Sequence, residues 1–241
     1  MDMGDYETAV GRADQPGELW KLVTGFFHGT AVERILYHHL PPLGARDAGS
    51  VEVASFGFPE AMVETYVQEK LYRRNPMLQH GLSTIEPFYL DTVALPDDLT
   101  PSQAAFFQAV WDFSFDHGLG VQVFGPNGRN GYCGLGFTRG VTRLDPVDVR
   151  NYQWVCQLAH LRYCTVILPT LGPPPQLSGR ETEVLSWVAR GKSNSSIGDI
   201  LGISAHTVDA HLRRIYLKLG VVDRISAAVR GIGVGLIHAS T

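Results

Sequence analysis

The chain has 241 residues, 44% apolar and 18% charged, with a formal net charge of −4, which excludes collagen-like, coiled-coil and disordered classes. No run approaches the ~18 apolar residues of a membrane span, the acidic start MDMGDYETAV lacks the apolar centre of a signal peptide, and Cys133, Cys156 and Cys164, odd in number and without CxxC spacing, read as reduced thiols of a cytoplasmic protein. Residues 1–172 hold 12 Lys+Arg against 19 Asp+Glu whereas residues 173–241 hold 8 against 5, so a polyanionic partner is expected for the C-terminal part alone.

In chain order, residues 19–27 have helical spacing. Residues 34–40 and 51–56 are short and rich in β-formers, and are predicted strands. Pro59 is expected as the first residue of a helix reaching about Tyr72. Asn75-Pro76 breaks it and starts a short helix, and residues 87–90 form a brief strand. The aromatic-rich stretch 102–117 is predicted helical, closed by Gly118. Residues 119–125 and 132–138 flank Pro-Asn-Gly-Arg-Asn-Gly, a hairpin signal. Asp145-Pro146-Val147-Asp148 combines a capping aspartate, a first-turn proline and an acid three residues on, and opens a helix to about Leu168. Helices at both ends of an antiparallel sheet predict an α+β sandwich over residues 1–170.

The clearest boundary is residues 171–176, Leu-Gly-Pro-Pro-Pro-Gln. Successive prolines supply no backbone donors and favour extended geometry, so no helix or central strand crosses them. Residues 177–241 are predicted to be all helical. Ser178-Gly179-Arg180-Glu181 is a capping box, and Val184, Leu185 and Val188 are the buried stripe of the helix it opens. Gly191 ends that helix, and Ser193 caps the next, which buries Ile197, Ile200 and Leu201. After Gly202, Ser204 caps a third helix with the stripe Val208, Leu212, Ile215 and Leu219. Gly220 ends it, and a fourth runs from about Arg224, burying Ala228, Ile232 and Leu236.

Two short helices joined by a glycine-containing turn, the second capped and basic on one face, describe a helix-turn-helix. With its apolar stripe inward, the third helix presents His206, Ala210 and Arg213, flanked by Asp209 and Arg214. Lys192, Asn194, Ser195, Ser204, Thr207, Lys218 and Arg224 lie near helix ends, within reach of phosphate oxygens. Arg213 is the candidate for a base-edge contact, since a guanidinium bonds guanine bidentately. Asp209 suits a cytosine amino group, or orients Arg213 at i+4. The charges alone would also describe the solvated face of a plain helical bundle.

The full string decides between these readings. Residues 177–237 resemble, without gaps, the four-helix DNA-binding domain of the LuxR family. Matching positions include Arg180-Glu181, Val184-Leu185, Gly191-Lys192-Ser193, Ile203-Ser204, Thr207-Val208, His211, Lys218-Leu219 and Arg224. Departures are Gly198, where the family usually has alanine, and Asp209, where a basic or polar residue is usual; the second puts the operator sequence in doubt. The part before the linker lacks the acidic start and alternating βα pattern of a phosphoacceptor receiver. By order and spacing, most of residues 19–168 resemble the autoinducer-binding domain of quorum-sensing LuxR regulators, an α-β-α sandwich. Phe58-Pro59 stands for Tyr-Pro, Tyr66 is the ligand-side tyrosine, Asn75-Pro76 replaces Asp-Pro, and Trp111 and Gly118-Leu119 match the following helix and strand.

The resemblance implies a ligand pocket at Phe58, Met62, Tyr66, Asn75, Leu90, Trp111 and Gln122. The family's lactone-binding tryptophan becomes Met62, its amide-binding aspartate Asn75, its second tryptophan Leu90, and a later glycine Gln122. Met62 has no N–H for a lactone carbonyl. Asn75 accepts without charge assistance. For the apolar positions core filling is the competing role; for Tyr66 with Asn75, ligand contact and a satisfied core pair are both open. The scattered histidines lack metal-ligand spacing, no phosphate-loop motif is present, and no nucleophile–base set is evident, so no metal, cofactor or enzymatic activity is expected. The expectation is a cytoplasmic, homodimeric transcription regulator without membrane attachment. Its sandwich would sense a small apolar signal, an acyl-homoserine lactone or an atypical analogue, and control binding to an inverted-repeat DNA operator. The alternative is a ligand-independent or protein-regulated DNA-binding protein whose sandwich only dimerises.

Overall fold

A computed structural model describes residues 1–49, 52–111, 113 and 117–238. The chain forms two compact units. One comprises Met1–Leu40 with Val51–Leu168, the other Pro41–Ser50 with Pro169–Thr241.

The first unit is a mixed helix-and-sheet layer structure. Its five strands are β1 (Val32–Leu40), β2 (Val53–Phe56), β3 (Phe88–Tyr89), β4 (Gly118–Val123) and β5 (Asn130–Phe137). They pair antiparallel in the order β2-β1-β5-β4-β3. Alternation assigns the faces. Ile35, Leu119, Val121, Val123, Cys133, Leu135 and Phe137 enter one core with α1 (Met3–Arg12), α2 (Pro16–Phe27) and α6 (Pro146–Thr170), through residues such as Tyr6, Val10, Leu19, Phe27, Val155 and Ala159. Full burial of each large apolar side chain contributes about 1.5–3 kcal/mol. The opposite face carries Leu36, His38, Gln122 and Tyr132. It meets α3 (Glu60–Gln68), α4 (Pro76–Gly81) and α5 (Pro101–Val110) through Tyr66, Met77, Leu78 and Phe107. Gly120 lies flat there because a Cβ would come within 2.3 Å of the Phe88 ring.

The predicted elements recur with shifted ends. Helix α1 has no counterpart in the sequence reading. Pro59 is the N-cap of α3, one position before the first helical residue, and the last turn before Asn75 is a separate 3₁₀ turn, Leu71–Arg74. The chain leaves α-helical geometry after Gln68, since Lys70 adopts φ 55°. The expected helix 102–117 is seen as α5; its positions 112 and 114–116, like Val51 at the start of the expected second strand, lie outside the described residues.

The second unit holds α7 (Gly179–Ala189), α8 (Asn194–Leu201), α9 (Ala205–Leu219) and α10 (Arg224–Gly233). Its core is Val184, Leu185, Val188, Ile197, Val208, Leu212, Ile215, Leu219 and Ala227. Ile200 and Ile232, both expected in that core, are 46% and 37% exposed; on α8 the contact with the core is made by Ile197 and Leu201, and Ile200 lies at its edge. Residues 41–49 pack in the same unit: Arg230 donates to the Gly44 carbonyl at 3.3 Å, and Arg46 to the carbonyls of Leu171, Gly172 and Pro173.

Candidate ligand cavity and nucleic-acid interface

Between the sheet and α3–α5 lies a cavity of about 50 Å³ whose lining includes Phe58, Met62, Tyr66, Asn75, Phe106 and Trp111. Five of the seven sequence-expected ligand residues therefore share one cavity. Leu90 and Gln122 are not among its lining. Leu90 is fully buried among Met77, Leu78, Val93 and Tyr132, because the chain turns from β3 into a 3₁₀ turn there and carries the side chain into the core.

The cavity's polar groups are engaged with one another. Asn75 is the N-cap of α4, its Oδ1 accepting from the amides of Met77 at 2.9 Å and Leu78 at 3.4 Å. Its Nδ2 donates to the Tyr66 hydroxyl at 2.6 Å. That oxygen stands 3.2 Å from His38 Nε2. Burial lowers the His38 pKa to about 4, so the ring is neutral. Burial likewise pushes the Tyr66 phenol up.

Sequence reasoning passed over His38 and Tyr132. In register, His38 faces Tyr132, and Tyr132 faces Gln122. The three make a polar row across β1, β5 and β4, on the sheet face that carries Leu36. His38 Nδ1, Tyr132 OH and Gln122 Oε1 are buried with no hydrogen-bond partner among the described residues, an arrangement that ordinarily calls for a water or a ligand group. Only the pairing of distant strands lines them up.

In the second unit, α8 ends at Gly202 in left-handed geometry and Ser204 caps α9, its Oγ accepting from the Thr207 amide at 3.0 Å. This short turn sets the two helices as a helix-turn-helix. The turn approaches α8 closely at Gly198, where a Cβ would lie 2.6 Å from the Ile203 carbonyl oxygen, so the alanine usual in the family would need the turn to move outward. Along α9, Val208, Leu212, Ile215 and Leu219 point inward, leaving His206, Arg213 and Arg214 exposed and Asp209 and Ala210 half-buried. Asp209 holds the Arg213 guanidinium at i+4.

Besides Ser204, the expected phosphate contacts Arg224, Asn194 and Lys218 have structural duties. Arg224 donates to Asn194 Oδ1 at 2.9 Å and to the Lys192 carbonyl, so it fixes the turn between α7 and α8. Lys218 bonds Glu181 Oε2 at 2.6 Å. Burial raises the Glu181 carboxyl, but Lys218 and Ser178 outweigh it and hold it below its ordinary value. Lys192 and Ser195 are exposed at the start of α8.

Residues 15–163 match the family described as autoinducer binding domain, and residues 175–230 match the luxR family of bacterial regulatory proteins. The chain belongs to the autoinducer-binding, LuxR-type transcriptional regulators. Among its relatives, the transcriptional activator SolR of Ralstonia nicotianae is 28% identical over 75% of this chain and 76% of its own length. The transcriptional activator AnoR of Acinetobacter nosocomialis is 23% identical over 91% and 92%. The crystal structure of Escherichia coli SdiA covers 98% of this chain and 100% of its own, with TM-score 0.72 at 19% identity, and shows the regulator's fold. A second SdiA structure, in complex with octanoyl-rac-glycerol, has TM-score 0.67 at 18% identity and covers 100% and 99%. The regulator is thus a DNA-binding transcription factor with an autoinducer-binding domain, and none of its described helices is long and apolar enough to cross a membrane.

Proposed function

We propose that this regulator works in the cytoplasm as a homodimer on an inverted-repeat operator, and that a largely apolar signal with at least one carbonyl or amide binds its first unit and controls DNA binding. The observation that carries the reading is the cavity shared by Phe58, Met62, Tyr66, Asn75 and Trp111. At about 50 Å³ it is far smaller than the several hundred Å³ of a formed ligand site. Signal entry therefore has to spread α3–α5 from the sheet, which couples occupancy to the packing of this layer. The His38–Tyr132–Gln122 row offers the polar end its partners. Met62 provides no indole donor, so straight-chain acyl-homoserine lactones bind weakly and an atypical lactone or a non-lactone acyl compound, of the kind that the SdiA complex holds, binds better.

For DNA, Arg213 reads a base edge, with His206 and Ala210 on the same face and Asp209 orienting the Arg213 guanidinium, while Lys192, Asn194, Ser195, Ser204, Thr207, Arg214, Lys218 and Arg224 position the helix on the backbone. Dimer contacts fall on α6, where Trp154 and Leu161 are exposed, and on α10, where Ile225, Val229 and Ile232 form an exposed stripe at i, i+4 and i+7. Half-site centres then lie about one helical turn, ~10 bp, apart. The engaged Asn75–Tyr66 pair favours a second reading, in which the first unit only dimerises. Mass spectrometry of the protein purified from a heterologous host fed candidate acyl compounds separates the two. A stoichiometric bound acyl compound supports sensing, and none, with operator binding unchanged, supports the second reading. A strictly monomeric protein on DNA overturns the dimer.

A further inference from the structure

Two of the histidines that look scattered in sequence, His39 and His160, meet Cys164 on the other face of the sheet. His39 lies on β1, and His160 and Cys164 are one turn apart on α6. All three are buried, and their ligand-capable atoms lie within 4.8 Å of one another. The Cys164 sulfur is 3.6 Å from His160 Nε2. The same nitrogen is 2.9 Å from the Arg129 carbonyl, and Nδ1 is 2.8 Å from the Tyr37 hydroxyl. Glycines leave the room for this cluster. A Cβ at Gly125 would stand 2.9 Å from His160 Nε2 and 3.0 Å from the Cys164 sulfur, and one at Gly131 would stand 2.8 Å from His160 Nδ1. A second cavity of about 130 Å³, lined by Trp20, Tyr37, Glu52 and Tyr163 among others, leads to His160.

We propose that His39, His160 and Cys164 bind one soft monovalent cation, Cu(I). Softness favours Cu(I) at a thiolate with imidazoles. The charge count agrees: two neutral imidazoles and one thiolate neutralise a single positive charge. On binding, Cys164 releases its thiol proton to solvent. The His160 proton moves from Nε2 to Nδ1, and the Tyr37 oxygen accepts it as the outer partner that orients a metal-bound imidazole. The Arg129 carbonyl gives up its bond to Nε2. The ion keeps its oxidation state and ties α6 to β1.

The test is anaerobic titration of the full chain with Cu(I) against a chromophoric Cu(I) chelator, followed by X-ray absorption at the copper edge. The expected result is one Cu(I) per chain with one sulfur and two nitrogen neighbours. Cys164→Ser and His39→Gln should each weaken binding by roughly 100-fold, and Tyr37→Phe by about 10-fold. Cys133→Ser and Cys156→Ser should bind as the parent does. Substoichiometric uptake, two sulfur neighbours in the unsubstituted protein, retention of affinity in Cys164→Ser, or tighter binding of Zn²⁺ than of Cu(I) would each overturn the site; the spectrum of the parent decides even if a variant fails to fold.

Discussion

Asn75 donates from Nδ2 to the Tyr66 hydroxyl at 2.6 Å while its Oδ1 caps α4, so one buried amide joins α3, α4 and, through Tyr66, His38 of β1. The family's aspartate at this position cannot donate as this amide does.

Asn75→Ala removes both the cap, worth about 1 kcal/mol, and a partner of a buried hydroxyl, worth about 1–3 kcal/mol. The expected loss in urea unfolding is about 2 kcal/mol or more. Asn75→Asp keeps the cap and so loses less, while supplying an anionic acceptor that raises affinity for an amide-bearing ligand. Equal stabilities of parent and Asn75→Ala would show that the pair is not coupled to the fold.

Met62 lines the cavity and Leu90 does not, so tryptophan acts differently at each. Met62→Trp adds an indole donor beside Tyr66 and should improve acyl-homoserine lactone binding. Leu90→Trp overpacks a closed core and should cost about 1–3 kcal/mol. Thermal unfolding and lactone titration of both single variants check this, and a destabilised Met62→Trp beside a neutral Leu90→Trp would reverse the assignment.

On α9, Arg213→Ala should weaken operator binding by about 1–3 kcal/mol and relax preference at one base pair. Asp209→Ala releases the guanidinium that Asp209 holds, and should change which base is preferred without abolishing affinity. Binding measured across a library of operator variants reads both effects. Unchanged profiles would remove α9 as the reading helix.

Lys218 is expected to act on DNA and on stability together. Lys218→Ala leaves the Glu181 carboxylate, whose side chain is 4% exposed, without its ammonium; because Lys218 itself is partly solvated, the loss should be about 1–2 kcal/mol. Glu181 titrates lower in the fold than its ordinary 4.5, so its contribution is full above that value and disappears as pH falls through the folded value. The variant should therefore show a shallower acid loss of stability than the parent. In DNA binding, Lys218→Ala should flatten the salt dependence, whereas Glu181→Gln should lower stability and keep the salt slope. Identical salt slopes for parent and Lys218→Ala would confine Lys218 to the ion pair.

The helices of the second unit were legible because their signals are local. Ser178 with Glu181, Ser193, Ser204, Gly202 and Gly220 are caps and stops that act within a turn, and the stripe of α9 repeats on one helix face. Most strands were legible from short runs of β-formers and the turn signal between them, for the same reason. Helix α1 was not, since its buried residues Tyr6 and Val10 form too short a stripe to stand out before the core that covers them is known. Contacts across distance were decided by tertiary structure alone. Nothing near Leu90 in sequence says that a 3₁₀ turn carries it into the core, and His38, Tyr132 and Gln122 become a row only when β1, β5 and β4 pair in one register. His39 likewise meets His160 and Cys164 only because α6 packs across the sheet. A hydrogen-bonded ladder or a packed helix brings together residues whose separation along the chain carries no periodic trace.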